Sequence, residues 1–193
     1  MKKLTTKELA IMGLMAALCF VGYAVFPAIS VTGTKIHLGN AFVVLGALLL
    51  GGLYGGLAGA VGLSISDIVM GYVESAPRTF ITKLVIGLMV GLVAYKIKHI
   101  REIHDKKKIF VLSIVASVVA LLTNCVFEPA LKYVWYTLLT PNAEKSASAI
   151  KALMAVTTYT TMINAIINAV AAVILFNALL PFLRRMGIWE KRN

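Results

Sequence analysis

Charge is what this chain has least of: only 14% of its 193 residues are charged, 8 of them acidic against 19 Lys and Arg. A soluble domain carries roughly a quarter of its residues charged. With 60% hydrophobic residues and a mean hydropathy of +0.88, the composition excludes that class and describes an integral membrane protein. Cysteine is also scarce. Cys19 and Cys125 both fall inside apolar runs, so neither a disulfide framework nor a CxxC metal site is indicated. No His, Cys or carboxylate is spaced to complete a metal site with His37, and no metal is expected. The GxxxxGK[ST] phosphate loop is missing, so any ATP hydrolysis must come from a partner. Scattered single charges supply no paired carboxylates and no Ser/His/Asp arrangement, which argues against a membrane enzyme.

What the chain has in abundance is apolar runs punctuated by glycine. They predict an all-α integral membrane protein, a six-transmembrane-helix bundle of a single domain over 1–193, with spans at about 8–26, 38–50, 53–72, 78–98, 109–128 and 153–180. Residues 37–72 are too long for one crossing and barely long enough for two. Gly51, Gly52, Gly55, Gly56 and Gly59 allow a tight turn there with close helix packing. The first run, from about Leu9 to Phe26, is too long for a signal-peptide core and reads as a retained helix. Most Lys and Arg cluster in three places: Lys2, Lys3 and Lys7; Lys96, Lys98, Arg101 and Lys106 to Lys108; and Arg184, Arg185, Lys191 and Arg192. Six crossings put all three on one side. The positive-inside rule then makes both termini cytoplasmic, in a multi-pass protein of a prokaryotic plasma membrane. The 27–37, 73–77 and 129–152 segments fall on the outer side.

The stretch KIHLGNAFVVLGALLLGGLYGGLAGAVGLSISDIVMG (Lys35 to Gly71), followed by PRTFITKLVIGLMVGLVA (Pro77 to Ala94), resembles the substrate-binding S components of energy-coupling factor (ECF) vitamin transporters, and most closely the branch that includes hydroxymethylpyrimidine, pyridoxine and some riboflavin-type S components. The tail KLTTKELAIMGLMAAL, the His-Leu-Gly start of the second span, the Gly-rich turn and the D-x-x-x-G close at Asp67 to Gly71 carry the likeness. It implies a membrane-embedded binder of a small water-soluble vitamin, with no cofactor of its own. A transmembrane coupling protein and two ABC ATPases would supply ATP hydrolysis, and no nucleic acid is involved.

Small residues recur on the first span at Ala10, Gly13, Ala17 and Ala24, at spacings of three, four and seven, and form one stripe. The resemblance implies that such a stripe, with the Ala16–Ala17 pair, docks on the coupling protein; packing inside the bundle is the alternative.

Polar groups within spans cost about 2.5–3.5 kcal/mol each when charged, so each needs a cavity, a partner or the interface. Lys83 aligns with Thr79, Gly87 and Gly91 on a face free of bulky side chains, from which it either meets a ligand or snorkels outward. Asn124 and Glu128 share one face of the fifth span; Thr160, Asn164 and Asn168 share one face of the sixth. These sets suit a heteroaromatic vitamin with hydroxyls and a ring nitrogen, or else bond helix to helix. Glu128 precedes Pro129, which is expected to end the fifth span; its carboxylate pairs with Lys83, accepts from a ligand or is solvated. For Asp67, pairing with Arg78 or a helix-end contact is the first reading and ligand binding the second. His37 is an interfacial residue or, by resemblance, part of a substrate lid. Tyr133, Trp135, Tyr136 and Tyr159 suit an outer aromatic belt, with Tyr133 or Tyr159 also able to stack on a ligand ring.

Nanomolar binding needs about −12.3 kcal/mol, which for a small vitamin requires nearly complete burial. The 27–37 segment, with Pro27 and Gly33, is therefore the expected lid. Pyridoxine or hydroxymethylpyrimidine is favoured because Phe80, Met89 and Met162 hint at a small pocket. Riboflavin, a thiamin precursor or pantothenate, or a stand-alone secondary carrier, are the alternatives.

Overall fold

The computed structural model describes residues 4–24, 29–31, 34–139, 147–185 and 189. Pro27 and Gly33 of the expected lid, and Lys2, Lys3, Lys191 and Arg192 of the basic clusters, lie outside the described residues.

Among the described residues, six α-helices run up and down through the bundle: α1 (Thr6–Ala24), α2 (Gly39–Leu50), α3 (Gly52–Val69), α4 (Ala76–Gly91), α5 (Lys106–Val134) and α6 (Ala147–Arg185). Local sequence sets the starts. Thr5 and Glu8 exchange side chain to backbone hydrogen bonds of 3.0 and 3.3 Å, a reciprocal cap for α1. Asp105 accepts from Lys107 N–H at 2.8 Å and caps α5. Pro77 sits in the first turn of α4, where its missing donor costs nothing.

Five of the six helical segments are long and apolar enough to cross a membrane; α2 is not. Its 12 residues rise only about 18 Å against a hydrocarbon core of about 30 Å. It is instead the buried axis of the bundle, with all but Phe42 buried. Its last carbonyls would be stranded there, and they are satisfied from outside the helix: Tyr95 donates to Leu48 O, and Arg101 Nη2 donates to Leu49 O at 2.7 Å. The α2–α3 turn needs Gly51, whose φ of 93° disfavours any side chain. Beyond it α3 lies between two neighbours at backbone contact, Gly55 on Ala47 of α2 and Gly56 on Gly87 of α4.

Three features depart from the sequence reading. An antiparallel hairpin that the sequence did not announce, β1 (Ile29–Val31) and β2 (Thr34–Ile36), follows α1 in the otherwise all-helical fold. Helix α5 does not stop at Glu128: Pro129 removes only one donor, and the helix continues to Val134 and then, more loosely wound, to Leu139, as packed membrane helices tolerate. Helix α6 spans 39 residues, about 58 Å, and so begins and ends beyond the expected 153–180.

Candidate functional site

Because α2 begins only at Gly39, the end of the bundle nearest the hairpin has no central helix. A cavity of about 110 Å³ occupies that space, roofed by Lys35 and His37 of the β2–α2 stretch and walled by α3, α4, α5 and α6. That is room for roughly eight waters, or a molecule of about a dozen heavy atoms.

The roof is fastened by two amides one helical turn apart on α6. Asn164 accepts from His37 N–H at 3.0 Å and donates to Lys35 O at 2.8 Å. Asn168 accepts from Ala41 N–H at 2.7 Å and donates to His37 O at 2.9 Å. Their i, i+4 spacing matches the extended backbone opposite, which they bond as a neighbouring strand would. Leu38 N–H adds a bond to Gly22 O of α1 at 3.0 Å. The His37 ring packs edge-on to Tyr23 at 4.7 Å, and its Nδ1 accepts from Gly39 N–H at 3.0 Å. Burial, reinforced by the nearby Lys83 ammonium, pushes the imidazole down to about 3, so it is neutral.

The walls are charged. Lys83 Nζ lies 3.6 Å from Glu128 Oε2, which also accepts from Asn124 Nδ2 at 3.0 Å. Asp67 takes a hydrogen bond from Thr79, with the Tyr23 hydroxyl beside it, rather than pairing with Arg78 as the sequence suggested. Arg78 turns instead to Ser75 Oγ, 2.9 Å away, and to the rings of Trp135 and Tyr136 at 5.8 and 5.0 Å. Lys132 donates to Thr157 Oγ1 at 3.0 Å. Lys35 Nζ sits between the rings of Tyr23 and Tyr72, at 5.0 and 4.7 Å.

Of the sequence-expected site residues, His37, Lys83, Glu128 and Asn164 line this cavity. Asn124 stands behind Glu128, and Asn168 is spent on the roof. Tyr159 does not line it: next to inward-facing Thr160 on α6, it points outward and is 65% exposed. Tyr133 is exposed too, while Trp135 and Tyr136, expected in an outer belt, cover Arg78. Phe80, Met89 and Met162 are absent from the lining; Met162 faces outward and Met89 lines an apolar groove at the opposite end. The small size of the cavity therefore comes from the roof and charged walls, not from those side chains. Sequence reasoning missed Lys35, Asn40, Arg78, Thr82 and Lys132 as lining residues. Lys132 was lost with the assumed helix end at Glu128, although it continues that residue's face at i+4.

On α1, Ala10, Gly13 and Ala17 are exposed and Ala24 is half-buried. Ala16 is half-buried, with its backbone against Gly62 of α3.

A multi-pass helical membrane protein with a partly open, solute-sized cavity lined by charged and amide side chains at one end belongs to the class that binds a small polar molecule within the bilayer. The family model for the S component of ECF-type riboflavin transporters matches residues 3–180, and the chain belongs to that family. It is thus a transporter subunit of a kind that binds a vitamin and works with a membrane coupling protein and ATPases, and not a member of an enzyme family. No curated protein and no solved structure matches the chain.

Proposed function

We propose that this chain captures one small water-soluble vitamin or vitamin precursor in the cavity beneath the β1–β2 hairpin, at the outer side of the membrane, and delivers it inward when joined to a coupling protein and two ABC ATPases. The cavity beneath the roof, to which residues of all six helices contribute, is the observation that carries this reading. Lys83, Glu128, Asn164 and His37 face the ligand, Asn124 and Asn168 support them, and the exposed Ala10, Gly13 and Ala17 stripe of α1, running toward Ala24, meets the coupling protein. Two ligands are favoured by different observations. Riboflavin is favoured by the family the chain belongs to. A smaller heterocycle of the size of pyridoxine or hydroxymethylpyrimidine is favoured by the cavity of about 110 Å³, which three fused rings and a ribityl chain would have to enlarge.

The test is to purify the protein in detergent, identify any co-purifying small molecule by mass spectrometry, and titrate riboflavin, pyridoxine and hydroxymethylpyrimidine calorimetrically. Submicromolar one-to-one binding of a vitamin, with uptake into cells only when the coupling protein and ATPases are coexpressed, is the expected result. Uptake by the chain alone would make it a stand-alone carrier instead.

A further inference from the structure

The cavity carries more positive charge than it balances. Lys35, Arg78, Lys83 and Lys132 line it, against Asp67 and Glu128. Among the described residues, Lys83–Glu128 is the only ion pair at these walls. Arg78 is the sharpest case. It is 6% exposed and bonds Ser75 through Nη2, and its Nε and Nη1 are buried without a hydrogen-bond partner among the described residues. A guanidinium so enclosed costs stability unless something accepts its remaining donors. Its Cζ lies over the rings of Trp135 and Tyr136, 5.8 and 5.0 Å from their centroids, and a guanidinium's remaining N–H groups take acceptors in its own plane. Planar donors of this kind match an oxyanion better than a hydroxyl or a ring nitrogen.

Resting on the vitamin-capture reading above, we propose that the ligand is anionic: a small organic molecule whose carboxylate or phosphate group is taken by Arg78, with Lys132 and Lys35 supplying the remaining positive field. Arg78 is then the residue that selects charge, and the polar remainder of the ligand lies toward Lys83, Glu128 and Asn164. A bound anion would also supply the acceptors that Arg78 lacks, so binding should stiffen the α3–α4 connection that holds Ser75.

Matched pairs test this directly on the full-length protein in detergent. Pantothenate against panthenol and nicotinate against nicotinamide probe a carboxylate. Pyridoxine phosphate against pyridoxine and flavin mononucleotide against riboflavin probe a phosphate ester. The expected result is that, for at least one pair, the anionic member binds on the order of tenfold tighter or more. That preference should vanish in Arg78→Gln and survive in part in Arg78→Lys, and the pair that responds names the group. The wild-type ratio stands even if Arg78→Gln does not fold. Submicromolar binding of a neutral member with no gain for its anionic partner, or an anion preference untouched by Arg78→Gln, would overturn the charge inference and leave vitamin capture standing. No binding across all pairs by folded protein would overturn both.

Discussion

At the scale of single residues, the polar groups of this chain divide into those that face the cavity and those that hold its roof, and His37 does both. Its ring is flanked by Tyr23 and lies in the field of Lys83, Glu128 and Lys35. The imidazole titrates in the folded protein near 3 against an ordinary 6.5. An unfolded chain therefore binds a proton that the folded one refuses, so stability is complete above about pH 6.5 and falls as the pH drops toward 3. Melting temperatures at about pH 7.5 and about pH 4.5 should show a larger acid loss in the wild type than in His37→Gln, which keeps an acceptor for Gly39 N–H without a titrating ring. Equal losses would show that His37 contributes nothing to the acid limb. Lys83, Glu128, His37 and Asn164 stood out in the sequence because a polar group in lipid needs a partner or a cavity, and all four line this one; the sequence left open whether Lys83 snorkels and Glu128 is solvated. Arg78 was open to the same argument but entered the reading only as a partner for Asp67, whereas the helix-to-helix contact goes from Thr79 to Asp67. The two roles of Asn164 and Asn168 were not legible, since ligand contact and backbone bonding use the same amide at the same spacing.

At the scale of elements, the short α2 decides the architecture. Glycine placement announced the α2–α3 turn in the sequence, and Gly51 occupies it with a φ of 93°. The sequence did not reveal how deep the close packing runs. A Cβ on Gly87 would fall on the backbone of Gly56, while one on Gly13 of α1 meets nothing within 4 Å. Gly87→Ala should therefore destabilise by about 1–3 kcal/mol as α3 and α4 are forced apart. Gly13→Ala should be neutral or stabilise by up to about 1 kcal/mol. Thermal melts of the two variants separate a seam from an open face, and equal effects would contradict the packing described. The hairpin was invisible to hydropathy, since two three-residue strands lack a periodic signal. Its attachment to α6 is testable through Asn168. Asn168→Leu strands Ala41 N–H and His37 O and should cost about 1–3 kcal/mol. It should also raise hydrogen exchange at residues 35–41 while that of α4 stays unchanged; exchange that rises evenly across the bundle would argue against a local clasp.

At the scale of the whole molecule, composition alone was enough to place the chain in a membrane, and apolar run lengths came close to the helix count because lipid permits so few ways of hiding a backbone. The lengths misled at α2, which is apolar because it is enclosed by protein, and at α6, which extends past any bilayer. The same distinction between enclosed and uncovered apolar surface bears on how the subunit meets its coupling protein. Helix α1 is the least buried span, with 17% of its apolar window inside the bundle. Its small residues fall into two sets: Ala16 lies against Gly62 of α3, and Ala10, Gly13 and Ala17 look outward. A helix interface in lipid depends on close approach more than on apolar area, so bulk at an outward small residue should block a partner without disturbing the fold. Ala17→Trp is therefore expected to leave ligand affinity and melting temperature near wild type. Uptake in cells that coexpress the coupling protein and ATPases should nevertheless fall on the order of tenfold or more, the equivalent of losing about 1.4 kcal/mol or more of docking free energy. Ala16→Trp should behave in the opposite way, lowering the melting temperature first because the new ring has to displace α3. If Ala17→Trp transports normally, the partner meets another face of the bundle, and the outward stripe of α1 is only a surface for lipid.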